Sequence, residues 1–109
     1  MLEIFKSIED TLFKLEEIED GAWINLVNPT NEELDFIEEK LSIERDFLRA
    51  ALDDEESARL ESEEDQILIL VDTPYVEKQD DHIIYETLPL GIIITDKNII
   101  TVCLKNSII

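Results

Sequence analysis

The densest group of side chains able to do chemistry in this sequence is a run of four carboxylates, Asp53-Asp54-Glu55-Glu56. A second acidic group follows at Glu61 and 63–65. Carboxylate oxygens are the ligands that hard cations such as Mg²⁺ and Ca²⁺ prefer, but neither group has the glycine and alternating oxygen ligands of an EF-hand loop. A solvated acidic face is the simpler interpretation. Asp53, Asp54, Glu55 and Glu56 are the candidate metal ligands.

Side chains typical of enzyme active sites are scarce. His82 stands beside Asp80 and Asp81, where a histidine–carboxylate pair could transfer protons, but an isolated surface histidine is the commoner case. Cys103 lies between Val102 and Leu104 in an apolar segment, which indicates a buried, unreactive thiol. One Cys and one His cannot supply a zinc site, and two glycines cannot form a phosphate-binding loop. We therefore expect no enzymatic activity and no tightly bound cofactor.

The net charge restricts the partners of this chain. It carries 28 acidic against 9 basic residues, a formal net charge of −19. Phosphates of nucleic acids and anionic lipids both need basic residues, so neither is an expected partner. Cationic partners are favoured instead, either metal ions or a basic protein, although charge alone also serves solubility.

Length and composition indicate one soluble domain spanning residues 1–109. Hydrophobic residues make up 44% of the chain, enough to fill one core. The lone cysteine permits no internal disulfide and fits a reducing compartment. The longest unbroken apolar run, Ile67–Val71, is far shorter than the roughly 20 residues of a membrane span. The final residues, Ser107-Ile108-Ile109, show no stop signal, so we expect the chain to be a fragment.

The first part of the chain predicts strands. Two short ones, Ile4–Ile8 and Thr11–Leu15, are predicted around Glu9-Asp10, although Leu12, Leu15 and Ile18 also fit one face of a helix. Ala22–Val27 alternates in the way of a strand that is buried on one face.

Two helices are predicted next. Thr30 and Glu33 have the spacing of a capping box, which predicts a helix from about Asn31 to Leu41. Ser42 is a candidate cap for a second helix over residues 43–52, which the like charges of Asp53–Glu56 should end.

The remainder predicts β-structure. A short strand at Ala58–Ser62 precedes the apolar run Gln66–Asp72, which is typical of a strand buried on both faces and is expected to end at Pro74. Another strand, Ile83–Leu88, is predicted from its alternation between a polar loop over 77–81 and a break at Pro89-Leu90-Gly91. The last two strands, Leu90–Thr95 and Ile99–Leu104, flank a hairpin turn at 96–98. Strands, then helices, then strands predict an α+β fold, a mixed and partly antiparallel sheet packed against helices.

Four segments, in order, resemble the N-terminal cytoplasmic domain of the CorA-like magnesium and cobalt transporter family. Trp23–Leu26, followed by Pro29 and Glu32-Glu33, resembles the family's tryptophan strand and its P-T-x-E-E segment. The second segment resembles a helix that ends before an R-x-E strand and comprises Leu48, Leu52, Asp53, Glu55, Glu56, Arg59 and Glu61. The third is Gln66–Asp72 with Pro74, and the fourth joins Thr87 and Pro89–Ile93 to Ile99–Val102.

The resemblance implies a homopentameric channel at the cell membrane with a cytoplasmic α/β sandwich. Divalent cations, Mg²⁺ or another, bound between neighbouring cytoplasmic domains would hold such a channel closed by screening carboxylates that otherwise repel one another. The family's Gly-Met-Asn pore motif is absent, because the only methionine is Met1. The stalk and membrane helices are missing too, so the implied role is folding, assembly and regulation rather than transport.

One departure concerns the regulatory ions. Some family members carry a Glu-Asp pair after the leucine that corresponds to Leu48, and those acids help to bind the ions. Arg49 and Ala50 stand at these positions here, which leaves Asp53–Glu56 as the nearer candidates. The alternative function is a stand-alone acidic module that binds a basic protein.

Overall fold

The computed structural model describes residues 1–53 and 57–105 of the 109-residue chain. The elements are, in order, β1 (Leu2–Ile8), β2 (Thr11–Leu15), β3 (Trp23–Val27), α1 (Asn31–Leu41), α2 (Arg45–Ala50), β4 (Arg59–Glu63), β5 (Gln66–Gln79), β6 (His82–Ile94) and β7 (Ile99–Cys103).

All seven strands form one sheet in the order β2-β1-β3-β7-β6-β5-β4. The central pair, β3 and β7, is parallel, and every other neighbouring pair is antiparallel. The predicted α+β fold with a mixed, partly antiparallel sheet is therefore confirmed.

The N-terminal hairpin follows the strand prediction and not the helical alternative. Glu9 and Asp10 link β1 to β2 with φ values of 51° and 66°. A two-residue turn with positive φ at both positions matches the right-handed twist of the paired strands. Asp is one of the residue types that adopt the left-handed region more often than most, which favours Asp10 at the second turn position.

The start of α1 is the predicted capping box. The Thr30 hydroxyl accepts from the Glu33 amide at 3.1 Å, and Glu33 Oε1 accepts from the Thr30 amide at 2.9 Å. The amino group of Met1 also donates to Glu33 Oε1 at 3.2 Å. Burial opposes ionisation of Glu33, but the hydrogen bonds from Thr30 and the terminal amino group together lower its pKa.

The second helix differs from its prediction. Ser42 does not cap α2; it ends α1 in the left-handed region with φ of 55°. The short α2 begins after Glu44, which makes no side-chain capping bond. Gln66 on β5 holds this link by donating to the Ser42 carbonyl at 2.6 Å and accepting from the Glu44 amide at 3.0 Å. The helix starts later than predicted because these tertiary bonds occupy the backbone around Ser42.

The predicted breaks at Pro74 and Pro89, and the predicted loop over 77–81, are wrong. β5 and β6 run through the prolines as one long hairpin that turns at Asp80-Asp81. Pro74 lies opposite Thr87 of β6, beyond the Arg59–Leu70 pair at which β4 stops, and Pro89 lies just outside the β7 ladder. Proline lacks only the backbone donor, so it is tolerated at strand positions where no ladder hydrogen bond needs that donor.

The core lies between the two helices and one face of the sheet. Five strands contribute buried side chains to this face of the sheet: Ile4, Ile24, Leu26, Leu68, Leu70, Ile93, Ile100 and Val102. The helices contribute Leu34, Ile37, Phe47, Leu48, Ala50 and Ala51. A Cβ at Gly91 would meet the Ala51 Cβ at 3.1 Å, so small residues on both sides let α2 lie close to β6.

The other face of the sheet is only half covered, which corrects the expectation that Gln66–Asp72 is buried on both faces. Leu68 and Leu70 are closed from solvent, whereas Ile69 and Val71 are partly exposed and Ile67 is 40% exposed. This strand therefore has more apolar side chains than the described residues bury.

Asn98 ties the last hairpin to the segment before β3. It is 5% exposed, and its Nδ2 donates to the carbonyl oxygens of Glu19 at 2.9 Å and Ala22 at 3.1 Å. The Gly21 amide reinforces this contact by donating to the Lys97 carbonyl at 2.6 Å. These bonds fix the start of β3 beside the start of β7.

We predict that Asn98→Ala lowers the free energy of unfolding by about 2 kcal/mol, because the carbonyls of Glu19 and Ala22 each lose one of their two hydrogen-bond donors. Urea unfolding followed by circular dichroism measures the change. Asn31→Ala, at the exposed start of α1, is the control and should change stability by less than about 0.5 kcal/mol. Equal effects of the two substitutions would contradict the anchoring role.

We also predict a pH signature for Glu33. A lowered folded-state pKa stabilises the fold above the ordinary value of 4.5 and loses that contribution as the pH falls through the folded-state pKa. Glu33→Gln should therefore be less stable than wild type near neutral pH, with the gap closing below about pH 4. Thermal melts across pH measure this difference. Glu39→Gln, exposed on the same helix, removes the same charge, and a similar profile in that variant would refute the assignment.

Candidate functional site

Three of the acidic residues singled out in the sequence, Asp53, Glu61 and Glu63, border a groove of about 750 Å³ between the helices and the edge strand β4. Its lining residues are Pro29, Asn31, Leu34, Glu44, Asp46, Phe47, Arg49, Ala50, Leu52, Asp53, Arg59, Glu61 and Glu63. Apolar side chains such as Leu34 and Phe47 contribute to this lining, but most of its exposed surface is polar.

The register of β4 explains how one strand supplies three of these charges. Arg59, Glu61 and Glu63 pair with Leu70, Leu68 and Gln66 on β5. Because directly opposed residues point to the same face, the three charged side chains lie on the helix side of the sheet. The alternating R-L-E-S-E pattern therefore aims its charges into the groove.

The helical side of the groove adds carboxylates and one cation. Glu44 and Asp46 flank the start of α2, and Arg49 and Asp53 follow at its end. The lining set thus contains carboxylates in excess over its two guanidinium groups, those of Arg49 and Arg59.

Arginines already satisfy part of this charge. Arg59 Nε donates to Glu61 Oε2 at 2.9 Å, and Arg59 Nη1 donates to the Ser57 carbonyl at 3.3 Å. On the neighbouring surface Arg45 contacts Asp35 at 2.6 Å and Glu38 at 2.7 Å, and these hydrogen bonds raise the pKa of its guanidinium. Exposed pairs of this kind stabilise a fold little, so their main effect is to lower the local negative field.

The described part of the groove does not form a complete metal site. Within residues 1–53 and 57–105, no three His, Cys, Asp or Glu side chains come together closely enough to hold a metal ion. Of the predicted ligands, Asp53 is exposed on the groove, while Asp54, Glu55 and Glu56 lie outside the described residues. The structure therefore neither assembles nor excludes the predicted set of four.

The two positions that depart from the family's acidic pair have different environments. Arg49 is exposed at the groove, whereas Ala50 is 4% exposed and belongs to the core. A carboxylate could replace Arg49 and remain in water, but at position 50 it would lie in the core of this chain.

The other reactive side chains lie elsewhere. His82 is exposed at the tip of the β5–β6 hairpin, and Cys103 is half-buried on the face of the sheet away from the helices. Burial raises the pKa of the Cys103 thiol, which keeps it protonated and slow to react. Neither side chain is among those that line the groove.

Sequence reasoning missed Glu44, Asp46 and Arg59 as groove residues. The alternation of β4 could have placed Arg59 on the same face as Glu61. Glu44 and Asp46 needed the position of α2, which depends on the Gln66 hydrogen bonds and is not visible in local sequence.

The whole arrangement is that of a known class of soluble domain. A solved structure of the soluble domain of CorA from Methanocaldococcus jannaschii is 30% identical and superposes with a TM-score of 0.78, over 97% of this chain and 41% of that chain. The complete CorA magnesium transporter from the same organism is 26% identical with a TM-score of 0.75, over 98% of this chain and 33% of that chain.

The family assignment follows from a direct match. Residues 19–109 match the family model described as CorA-like Mg2+ transporter protein, so the chain belongs to that family. The chain spans less than half the length of both solved CorA structures. No curated protein sequence matches it. Among the described residues, no helix is long and apolar enough to cross a membrane.

We predict that the two family positions respond differently to an acid. Arg49→Glu should change the free energy of unfolding by less than about 0.5 kcal/mol, as exposed substitutions usually do. Ala50→Asp should cost about 2–4 kcal/mol, because it places a carboxylate in the core. Urea unfolding of both variants measures the contrast, and a fully stable Ala50→Asp protein would show that this position is open to solvent.

Proposed function

We propose that this chain is the cytoplasmic regulatory and assembly domain of a CorA-like divalent-cation transporter. The observation that carries the proposal is the family match over residues 19–109, joined to a fold shared with the CorA soluble domain along 97% of the chain. Transport itself needs membrane spans, which the described residues do not contain. The contribution of these residues is to fold, to assemble with further copies and to sense the transported ion.

The charge supplies a physical basis for sensing. A formal charge of −19 on each copy makes neighbouring domains repel one another when several assemble around one pore, as in a homopentamer. Divalent cations at the subunit boundary reduce that repulsion, and their loss lets the domains separate. Mg²⁺ is the first ion to test, since the matching family is described as Mg2+ transporters.

Asp53, Asp54, Glu55 and Glu56 are the proposed contacts for the regulatory ion. Asp53 borders a groove that already holds carboxylates from α2 and β4, and the other three follow directly in the chain. The described acids alone do not complete a site. We propose that a neighbouring copy supplies further oxygens to the coordination shell of the ion. This arrangement makes ion binding depend on assembly.

The proposal assigns no catalysis to the chain. The groove carries carboxylates and arginines but no histidine or cysteine among its lining residues, and the family to which the chain belongs is one of ion transporters. The location that follows is the cytoplasmic face of the cell membrane, within the assembled transporter.

A stability measurement tests whether Mg²⁺ acts as a ligand. We expect MgCl₂ to raise the melting temperature more than NaCl at equal ionic strength, because a bound ion adds to general screening. Replacing the four proposed acids, as D53N/D54N/E55Q/E56Q, should abolish the excess. The control, D80N/D81N/E16Q/E17Q, changes the net charge by the same amount at turns away from the groove. This variant should keep the additional rise in melting temperature that MgCl₂ gives over NaCl. Equal effects of the two salts on wild type would exclude specific binding by the isolated chain.

A chimera tests the regulatory role itself. The chain replaces the corresponding segment of the M. jannaschii transporter, and Mg²⁺ uptake is measured in proteoliposomes with an internal fluorescent indicator. We expect uptake that slows as internal Mg²⁺ rises, and loss of that inhibition in D53N/D54N/E55Q/E56Q. A chimera that conducts equally at low and high internal Mg²⁺ would contradict regulation by this domain.

A further inference from the structure

Gln66 lies where the two walls of the acidic groove meet. As the first residue of β5 it pairs with Glu63 of β4, and its side chain reaches the link between α1 and α2. Its Nε2 donates to the Ser42 carbonyl at 2.6 Å, and its Oε1 accepts from the Glu44 amide at 3.0 Å. One side chain thus connects the strand wall of the groove to the start of the helical wall.

The start of α2 needs such a bond because local sequence does not supply one. The helix has six residues, Arg45–Ala50, far fewer than an isolated helix needs to be stable. Its N-cap, Glu44, makes no side-chain capping bond. In α1 the amide of the N-cap Thr30 donates to Glu33, three residues further on. In α2 the amide of the N-cap donates instead to Gln66, 22 residues further on.

The end of α2 is held in another way, by close packing on the sheet. Phe47, Leu48, Ala50 and Ala51 are buried, and a Cβ at Gly91 on β6 would meet the Ala51 Cβ at 3.1 Å. The helix therefore has a polar attachment at its start and an apolar attachment along its later residues. Loss of the polar attachment should let the helix pivot about the apolar one, so that its start moves and its end does not.

The start of α2 carries carboxylates of the groove. Glu44 and Asp46 line the groove on this side, and Glu61 and Glu63 line it from β4. Because like charges repel, these carboxylates favour separation of the helix start from the strand. The Gln66 amide is uncharged, so it joins the two walls without neutralising any carboxylate.

We propose that Gln66 is a positioning residue of the groove, which fixes the start of α2 opposite β4 and sets the separation of the carboxylates on the two walls. The inference rests on the proposed function in one respect, since it takes a divalent cation as the ligand of the groove. Oxygens that are already held in place bind an ion more tightly than oxygens that must first be ordered. Partners that orient metal ligands directly change affinity by about 10- to 100-fold, and Gln66, which acts through the backbone of α2, should have a smaller effect of about three- to tenfold.

Hydrogen exchange followed by mass spectrometry tests the positioning itself. Gln66→Met keeps the length of the side chain and removes both hydrogen bonds. We expect amide exchange in residues 44–50 to become at least about fivefold faster, while residues 23–27 and 99–103 of the β3–β7 pair keep their wild-type rates. Gln79→Met, at the exposed end of β5, is the matched control and should change neither segment.

The chimera with the M. jannaschii transporter tests what this position does for the ion. The internal Mg²⁺ concentration that halves uptake should be about three- to tenfold higher with Gln66→Met than with the wild-type chain. Gln79→Met should leave this concentration unchanged. A residue that only stabilised the fold would lower the melting temperature without moving the Mg²⁺ concentration for half inhibition.

The two measurements distinguish failure of the proposed function from failure of this inference. A wild-type chimera that internal Mg²⁺ does not inhibit contradicts regulation by the domain, whereas the exchange rates still decide whether Gln66 holds α2. Unchanged exchange in residues 44–50, or an equal increase in the β3–β7 segments, overturns the positioning role. Faster exchange confined to residues 44–50 together with a wild-type Mg²⁺ response also overturns the inference, because the position of α2 would then not govern ion binding.

Discussion

The parallel pairing of β3 with β7 is the contact on which the rest of the fold depends. It joins the N-terminal three strands to the C-terminal four across more than seventy residues of chain. The Asn98 side chain fixes its beginning, and the Trp23–Thr101–Asn25 hydrogen bonds hold its outer side. Closing such a long loop costs entropy, which the buried rows of Ile24, Leu26, Ile100 and Val102 must offset.

The β3–β7 pairing also determines on which face of the sheet the charged side chains of the groove lie. Both helices lie in the loop between β3 and β4, so they cover one face of the joined sheet and form the acidic groove with its edge strand. On the opposite face Leu60, Ile67 and Ile99 are exposed, and the other apolar side chains are partly exposed, among the described residues. One sheet thus separates a charged surface suited to cations from an apolar surface suited to packing.

Elements that depend on neighbouring residues in the sequence could be predicted, whereas elements that depend on distant residues could not. The helix α1 depends on neighbours in sequence, and its capping signal was sufficient to predict it. The β1–β2 strands were also predicted, but the local pattern left a helical alternative open. α2 depends on Gln66, more than twenty residues away, so its start was misplaced at Ser42. The prolines of β5 and β6 were misinterpreted because whether a missing amide matters depends on which neighbouring strand ends beside it. In the groove, Asp53 could be named from charge and Arg59 could have been placed from the alternation of β4, but Glu44 and Asp46 could not be found from local sequence.

The sequence alone determined the α+β class, the acidic character and the family. These properties depend on composition and on the order of local patterns, which are known before any tertiary contact is known. The tertiary structure decided that the carboxylates of α2 and β4 border one groove, and that Arg49 faces water while Ala50 belongs to the core. It also decided how much of the second face of the sheet the described residues leave exposed. These features depend on strand order and register, which arise from pairings between distant residues.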